Sequence, residues 1–481
     1  MGSTGLGIVK AARLLSRRSH VLPGQLHVTE LFFEVPKNHA RPEAGTLKLF
    51  ARRVRRNERP IVPFSTEQLA DKEKLPYLVY LEGGPGFGNR KPQHHALTQV
   101  ALKRGYQVLY LDYRGTGLST PINNDALLRE GGPQAQADYL KLFRANHIVR
   151  DLEAVRLCLT EGLEEHRKPW SIFGQSFGGF VCLTYLSKYP NSLREVFMTG
   201  GLAPVKRNAD EVYAATYKKV MERNAAYYTK YPEDIATVRQ LAEYIQSSGK
   251  AEGITLPSGG KLTVPLFLSM GLAFGSHGGL DEIHSLVLKL ATDLDQFGFF
   301  TRNTLAAMES QIPFDLNPIY AILHEAIYNA KQKGFPASNW AAHRVGKSLQ
   351  PFSWLADPAA VLQSCSFSEP LQFSGEMVYP FYFDICPQLA SMKEVAEILA
   401  STEEWDEDLY DEEQLQKNEV PVYAVSYIDD MYVDFELARE TAALVKGIKV
   451  RETNGWYHDA VRSRSDEVFG MLFQLQDDCI D

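Results

Sequence analysis

The chain has 481 residues, of which 44% are hydrophobic and 23% charged, and its formal net charge is −8. A chain of this length and composition can bury a large core, as one enlarged domain or as two. The negative charge and the lack of a long Lys/Arg run argue against nucleic-acid binding, and no stretch reaches the apolar length of a membrane span.

The N-terminus and the cysteines bear on where the protein works. The first twenty residues are basic and contain no acidic residue, and residues 5–9 are too short for the apolar core of a secretory signal. We expect a flexible leader here, and organelle targeting remains open. The five cysteines form no C-x-x-C pair, which favours thiols in a reducing compartment. We therefore expect a cytoplasmic protein.

Strand-like and helix-like segments alternate up to about residue 201. Short, almost continuous apolar runs are typical of strands that are buried on both faces of a parallel sheet. A helical spacing of apolar residues covers 148–159. This alternation predicts a parallel α/β sheet. The predicted strands lie within 26–55 with a turn at 36–45, and at 77–81, 106–111, 170–173 and 195–199.

The pattern changes after residue 201, because the long periodic stretches up to about 415 are helical. They cover 209–224, 232–246, 265–274, 280–296 and 319–333. Strands return at 420–427 and 449–453, and a last helix is predicted at 464–476. We predict an α/β core at 1–204 and 416–481, interrupted by a helical cap at 205–415. The acidic stretch 403–413 is predicted to be a solvated surface at the end of the cap.

The most informative motif is Gly-Gln-Ser-Phe-Gly at 174–178, between a predicted strand and a helix-like run at 180–186. A serine at such a sharp turn presents its hydroxyl at a helix N-terminus, where free N–H groups favour a developing negative charge. We interpret Ser176 as a nucleophile. The alternative is a turn of small residues before a helix.

A serine nucleophile needs a base and an acid that orients the base. In an α/β-hydrolase fold they follow in the order serine, acid, histidine, on loops after late strands. Asp429 and Asp430 follow the strand at 420–427 and compete for the acid role, with an acidic turn as the alternative, while Asp434 is predicted to cap the next helix. Only His458 follows the last predicted strand, so we predict that it is the base.

Two glycine-rich loops follow early strands. The Gly-Gly-Pro-Gly loop at 83–86 offers the N–H of Gly84 or Gly83, together with that of Phe177, as oxyanion donors. It lacks the lysine of a P-loop and the Rossmann spacing, so a phosphate cradle is excluded. At the end of the next strand, we interpret Asp112 with Arg114 as bracing for this loop. The chemistry requires no metal and no organic cofactor.

Three motifs taken together, at 83–86, 112–119 and 174–179, resemble proline iminopeptidases (prolyl aminopeptidases), which are α/β-hydrolases with a helical cap. The resemblance is closest to the branch with the longer cap, and it runs from about residue 21 to the C-terminus. It implies a serine exopeptidase that releases N-terminal proline. The family's catalytic aspartate precedes an alanine by eight positions, which favours Asp430 over Asp429, since Ala438 fits. Glu82 departs from the family, in which many members carry histidine; we expect this to alter loop support and not the reaction.

The resemblance also implies recognition of a free, protonated amine, for which carboxylates of the cap are suited. Glu325 and Glu376 lie in the matching cap motifs and are the candidates, with Glu309 as a third. The alternatives are a helix-packing carboxylate for Glu325 and a turn residue for Glu376. Four aromatic residues are predicted either to line a pyrrolidine pocket or to pack in the core: Phe373, Tyr379, Phe381 and Tyr382.

Other functions with the same fold remain open. An esterase or a broader aminopeptidase would use the same three residues, and a catalytically inactive α/β-hydrolase would serve as a binding protein. Epoxide hydrolases and dehalogenases are excluded, because they carry aspartate where this chain has Ser176. The expected partners are short peptides with N-terminal proline, and neither nucleic acid nor a membrane. A homo-oligomer is compatible with the sequence.

Overall fold

A nine-stranded sheet forms the centre of the computed structural model, which describes residues 9–58, 60–248, 252–312, 314, 316–364 and 369–478. A separate two-stranded ribbon joins β8 and β9. The strands are β1 (Arg13–Leu22), β2 (Leu26–Pro36), β3 (Thr46–Arg56), β4 (Tyr77–Leu81), β5 (Gln107–Asp112), β6 (Trp170–Gln175), β7 (Leu193–Thr199), β8 (Ile254–Thr255), β9 (Lys261–Leu262), β10 (Val422–Tyr427) and β11 (Ile448–Thr453).

The sheet has the order β1-β2-β3-β5-β4-β6-β7-β10-β11. The first three strands pair antiparallel, as do β3 and β5, and the remaining pairs are parallel. Every residue of β4, β5, β6 and β10 is buried, as predicted for the apolar runs at 77–81 and 106–111 that form β4 and most of β5. Because parallel strands end at one edge of the sheet, the loops after β4, β6, β10 and β11 meet there.

Helices cover both faces of the sheet. One face packs against α5 and α6, and the other packs against α2 and the last helix of the chain. The helices of the first part are α1 (Thr66–Glu73), α2 (Leu97–Lys103), α3 (Asn124–Leu127), α4 (Pro133–Leu140), α5 (Ala145–Leu159) and α6 (Phe177–Lys188).

The segment between β7 and β10 is helical apart from the small β8–β9 ribbon and irregular connections, which include a seven-residue 3₁₀ helix at Ser269–Gly275. Its helices are α7 (Ala209–Lys230), α8 (Asp234–Ser248), α9 (Val264–Leu268), α10 (Gly279–Phe297), α11 (Arg302–Glu309), α12 (Pro318–Leu323), α13 (Ala341–Ser348), α14 (Pro358–Ser364), α15 (Tyr382–Ile385), α16 (Pro387–Ala390), α17 (Lys393–Ala400) and α18 (Glu412–Gln416). After β10 come α19 (Phe435–Leu444), α20 (Ala460–Ser463) and α21 (Ser465–Asp477). No helix of the described residues is both long and apolar enough to cross a membrane.

The expectation of a flexible leader is wrong from residue 13 onward, because this segment forms β1 and pairs with β2. Its polar sequence suits an edge strand that is mostly exposed. Arg13 pairs with Glu34 of β2, and Arg18 lies 3.5 Å from Glu30. The part of the expected leader at residues 1–8 lies outside the described residues.

The helix predicted at 319–333 is wrong beyond its first part, because α12 ends at Leu323 and a single 3₁₀ turn follows at Glu325–Ile327. The side chain of Arg144, the N-cap residue of α5, donates hydrogen bonds to the carbonyl oxygens of Ala326 and Asn329. If the helix continued, these oxygens would instead accept from backbone N–H groups of the next turn. Tertiary hydrogen bonds therefore replace the helical ones.

The acidic stretch 403–413 is not simply a solvated surface. Asp406 accepts hydrogen bonds from His147 and Asn146 of α5, at 2.8 Å each, and Glu407 pairs with Arg150 and Lys188. Burial acts to raise the pKa of Asp406, but the His147 and Arg144 side chains outweigh it and lower this pKa to about 2. Asp406 keeps 37% of its side chain exposed, as the prediction of a solvated surface requires, whereas Glu407 is half-buried, and both carboxylates fasten the end of the helical segment to α5.

Candidate active site

Ser176 stands between β6 and α6 in a strained backbone conformation, with φ 55° and ψ −125°. Non-glycine residues rarely adopt positive φ, and such strain is typical of a nucleophile turn. The turn needs glycine on both sides, because a Cβ at Gly178 would stand 2.0 Å from the carbonyl oxygen of Leu81, and one at Gly174 would stand 2.4 Å from that of Gly178. The predicted strand-turn-helix context of Ser176 is therefore present.

The structure brings Ser176, His458 and Asp430 into one hydrogen-bonded line. His458 Nε2 lies 2.8 Å from Ser176 Oγ, and His458 Nδ1 lies 2.8 Å from Asp430 Oδ2. The other oxygen of Asp430 accepts from the backbone N–H groups of Tyr432 and Val433, at 2.8 and 3.1 Å. This arrangement can move a proton from the serine to the histidine while the carboxylate holds the ring.

Asp429, the competing candidate for the acid, points elsewhere. Its carboxylate is 40% exposed and lies 3.7 Å from the Lys219 ammonium group. Asp434 accepts a hydrogen bond from the N–H of Leu437 and caps α19, as predicted. Of the three aspartates after β10, only Asp430 contacts His458.

The environment of His458 favours its protonated form. Burial acts to lower its pKa, but the charge and hydrogen bond of Asp430, helped by Glu376, outweigh burial and hold the pKa above its ordinary value. Arg462 acts in the opposite direction. A base with a raised pKa takes a proton from serine more readily, although a larger fraction is already protonated at low pH.

The predicted oxyanion donors divide into two groups. The N–H of Gly83 donates to Glu82 Oε1 at 3.0 Å, so the expectation that Gly83 serves as a donor is wrong. Gly83 instead allows close approach, since a Cβ there would stand 3.0 Å from Ser176 Cβ. The N–H of Gly84 has no acceptor among the described residues, and Phe177 opens α6 and so has no intrahelical one. These two N–H groups remain the candidates.

The Glu82 carboxylate supports this loop in two ways. It is buried, accepts from the N–H of Gly83, and lies 3.0 Å from Arg462 Nη2. Arg462 belongs to α20, which begins two residues after His458. The pair therefore joins the glycine loop to the segment that carries the base.

The predicted bracing of the glycine loop is half right. Asp112 accepts from the N–H groups of Asn89 and Leu118, at 2.8 and 2.9 Å, and so holds the end of the loop. Arg114 does not join it: this buried guanidinium pairs with the buried Asp151, at 2.6 and 2.7 Å. Arg114 therefore fastens the turn after β5 to α5, because Asp151 lies on that helix.

A cavity of about 460 Å³ opens beside Ser176 and His458, and Glu376 lines it. Tyr320 donates a hydrogen bond to Glu376 Oε1 at 2.5 Å, and no cation lies within ion-pairing distance of this carboxylate in the described part of the chain. The cavity therefore holds a half-buried carboxylate with capacity for a cationic ligand.

Glu325 and Glu309 do not reach this cavity. Glu325 accepts from the N–H groups of Ala341 and Ala342, at 3.1 and 2.9 Å, and so caps the start of α13. Burial raises its pKa to about 7, opposed by these N–H groups. Glu309 accepts from Ser258 at another place. Glu325 as an amine ligand is therefore wrong, because its lone pairs hold a helix terminus.

Of the two alternatives for the four aromatic residues, packing against other rings is the one that the structure bears out, and none of them lines the cavity: Phe373 packs against Phe267, and Tyr379, Phe381 and Tyr382 pack against one another. The cavity is lined by residues that sequence reasoning missed. Phe87 directly follows the glycine-rich loop at 83–86 and Tyr432 follows Asp430 by two residues, so their positions carried a signal, whereas the 3₁₀ helix after α9 offered none. The missed lining residues include Phe87, Arg90, Met270, Leu272, Glu282, Gln311, Tyr320, Tyr432 and Asp459.

One group of potential metal ligands occurs in the described residues. Ligand atoms of Glu233, Asp234 and His284 lie within 4.8 Å of one another. None of these residues lines the cavity of Ser176, and Asp234 already accepts from Tyr227 and contacts His284 Nδ1. The cavity is thus distinct from this group.

Residues 76–240 match the model of the alpha/beta hydrolase fold family. The chain is 38% identical over 473 residues to the proline iminopeptidase aneH of Aspergillus aculeatus, with 98% of this chain and 99% of that protein covered. It is also 38% identical over 463 residues to the proline iminopeptidase of Aeromonas sobria, covering 96% and 99%. The crystal structure of the Mycobacterium smegmatis proline iminopeptidase aligns with 96% of this chain and 98% of its own, at 13% identity and a TM-score of 0.37.

Proposed function

The chain belongs to the proline iminopeptidase family of α/β-hydrolases, and we propose that it releases N-terminal proline from short peptides through a covalent prolyl intermediate on Ser176. This membership confirms the predicted family and fold class. One observation carries the proposed mechanism: a single cavity holds the Ser176–His458 pair and the Glu376 carboxylate, which has no cation beside it in the described residues.

In the first step, His458 Nε2 accepts the Ser176 proton, and the hydroxyl oxygen attacks the carbonyl carbon of the substrate's proline. The Nδ1–H of His458 donates to Asp430, which fixes the tautomer and stabilises the imidazolium that forms. The N–H groups of Gly84 and Phe177 stabilise the oxyanion. A donor of this kind contributes about 3 kcal/mol to transition-state stabilisation.

In the second step, the imidazolium of His458 protonates the leaving amine, and the peptide bond breaks. A water molecule then attacks the prolyl ester while His458 accepts its proton, and the imidazolium passes this proton to the departing Ser176 oxygen, which returns Ser176 to its free hydroxyl. The products are proline and the shortened peptide. Neither a metal nor an organic cofactor takes part in these steps.

Glu376 gives the site its selectivity for a free amine. The nitrogen of an N-terminal proline is a secondary ammonium group with two N–H donors, and the Glu376 carboxylate accepts from it. Such a charge-assisted bond in a half-buried cavity is stronger than a neutral one. Tyr320, which donates to Glu376 Oε1, orients the carboxylate.

We also propose the division into a core at 1–204 and 416–481 and a cap at 205–415, with the cap restricting access to short peptides. A cytoplasmic location is part of the proposal. It is supported by Cys158 and Cys182, which form no disulfide in the described structure.

The test compares aryl amides of proline, alanine and leucine, each with a free and an acetylated amine. We expect the proline amide with a free amine to be hydrolysed fastest, and acetylation to reduce kcat/KM at least about tenfold, since a charge-assisted bond is lost. If acetylation has no effect, amine recognition is wrong and an esterase is favoured. If none of the amides is hydrolysed and the protein also fails to react with a serine-directed phosphonate, it is an inactive binding protein.

A further inference from the structure

The ionised groups of the catalytic cavity divide into those that are already paired and those that are not. Glu82 is paired with Arg462, and Asp459 lies 2.6 Å from His277 Nδ1. Glu282 accepts from the Gln311 amide. Among the described residues, no carboxylate lies within 4.0 Å of the Arg90 guanidinium, which lines the same cavity.

Arg90 extends from a fixed piece of backbone. The preceding residue, Asn89, donates its N–H to Asp112 at 2.8 Å and its side-chain amide to the carbonyl oxygen of Leu111 at 2.8 Å. The buried Pro92 begins a 3₁₀ turn directly afterwards. The exposed guanidinium is thus carried on an anchored loop, so the entropy lost when it binds an anion is confined to its side chain.

Arg90 and Glu376 act on different neighbours, whereas Arg462 and Glu376 act in opposite directions on the pKa of His458. Arg90 and Arg462 both act to lower the pKa of His95, which burial already holds down, to about 3. Glu376 acts on the pKa values of Tyr320 and Tyr432 instead, and raises them together with burial. The cavity therefore carries groups of both signs, with Arg90 and Glu376 among different neighbours.

We propose that Arg90 binds the free C-terminal carboxylate of the substrate, so that the enzyme favours zwitterionic di- and tripeptides that begin with proline. This inference rests on the proposed function, because it places the ammonium group at Glu376 and the leaving residue toward Arg90. An extended dipeptide spans at most about 7 Å. A cavity of about 460 Å³ is of the size that encloses a small ligand.

The competing charges of the cavity do not remove this preference. Glu282 and Asp459 would repel a carboxylate, but Asp459 faces His277 and Glu282 is exposed to solvent. Arg462 adds positive charge near the same neighbour as Arg90, His95, although the carboxylate of Glu82 pairs with Arg462 and offsets part of its charge. The Arg90 fork can bind both carboxylate oxygens at once, which lysine cannot do.

The test measures kcat/KM for Pro-Ala and for Pro-Ala amide, which lacks the carboxylate, in the wild type and in three variants. The wild type should favour Pro-Ala about tenfold or more, as expected for a charge-assisted bond. Arg90→Gln should lose this preference while retaining its rate on the amide, and Arg90→Lys should keep part of it. Arg41→Gln, which changes an exposed arginine outside the cavity, should behave as the wild type.

Equal rates on both substrates in the wild type would overturn the inference, as would an equal loss on both substrates in Arg90→Gln. The aryl amide of proline has no carboxylate, so its hydrolysis tests the proposed function without testing the role of Arg90. If the wild type hydrolyses that compound but shows no preference for Pro-Ala, only the role of Arg90 is wrong. If it hydrolyses no proline substrate, the proposed function itself is wrong.

Discussion

At the scale of single residues, Glu376 has two roles in the same cavity. Its carboxylate is the proposed ligand of the substrate amine, and its charge also helps to raise the pKa of His458. Amine recognition and the strength of the base are thus coupled through one side chain. A substrate ammonium bound at Glu376 would offset that charge and lower the pKa of the base once the substrate is in place.

Replacing Glu376 by Gln should therefore have two effects on proline aryl amide hydrolysis. The value of kcat/KM should fall about tenfold or more, because a charge-assisted bond becomes a neutral one. Its acid limb should also move to lower pH, since His458 acts as a base only when neutral and loses a charge that raised its pKa. The measurement is the pH profile of kcat/KM.

Glu282→Gln is the matched control, because Glu282 lines the same cavity but is not among the charges that act on His458. It should leave the acid limb in place. If Glu376→Gln kept both the wild-type rate and the wild-type profile, Glu376 would have neither role.

Glu325 belongs to the stability of the fold, and its substitution should show this. Glu325→Ala removes the acceptor of two buried N–H groups, which should lower the free energy of unfolding by about 1–3 kcal/mol. The kcat/KM of the folded enzyme should stay within about twofold. Chemical denaturation and steady-state kinetics at one pH check this, and a large loss of kcat/KM with full stability would restore Glu325 to the active site.

The raised pKa of Glu325 also makes the stability of the fold depend on pH in a defined direction. Its folded value of about 7 lies above the ordinary 4.5, so the folded state binds more protons between these values. Stability from this group is therefore present at low pH and is lost as the pH rises toward 7. The free energy of unfolding of the wild type, relative to Glu325→Gln, should fall over that window. A constant difference would contradict the assignment.

At the scale of secondary structure elements, the contact between the 403–413 segment and α5 fastens the end of the helical insertion to the core. Asp406→Asn should weaken it, lowering the free energy of unfolding by about 1 kcal/mol and speeding proteolysis of the segment. Because the pKa of Asp406 is lowered to about 2, this contribution is present at neutral pH and is lost in strong acid. Glu403→Gln, at an exposed position, should change neither quantity.

The elements that the sequence predicts best are those whose own residues form a recognisable pattern. The buried strands β4 and β5 contain nearly continuous apolar runs, and burial on both faces follows from that pattern alone. The polar strand β1 carries no such signal, because an edge strand is specified by its neighbour. The predicted helix beyond Leu323 also failed, since Arg144, far away in sequence, binds its carbonyl oxygens.

The same distinction holds for the site. The order of Ser176, Asp430 and His458 along the chain could be predicted, because each follows a strand that ends at the same edge of the sheet. The hydrogen bond from the Gly83 N–H to Glu82 could not be predicted, and neither could the bond by which Glu325 caps α13. Both depend on the direction of a side chain, which the spacing of residues along the sequence does not reveal. Part of the cavity lining, such as Met270, Glu282 and Tyr320, comes from segments of the insertion that meet only in the folded chain.

At the scale of the whole molecule, the proposed mechanism takes its reacting groups from the α/β core and its selectivity for a free amine from the helical insertion. Ser176, Asp430 and His458 follow core strands, while Glu376 and Tyr320 lie between β7 and β10. Substrate choice can therefore vary within the insertion while the chemistry of the core stays the same.

The most direct test of this account is the hydrolysis of a proline aryl amide by Ser176→Ala, with circular dichroism and the unfolding midpoint as checks on the fold. Removal of the nucleophile should lower kcat at least about 10⁴-fold, because the base and the acid act only through it. The fold should be retained, because the change removes only one hydroxyl. A folded Ser176→Ala protein that hydrolyses the amide at close to the wild-type rate would contradict the central claim.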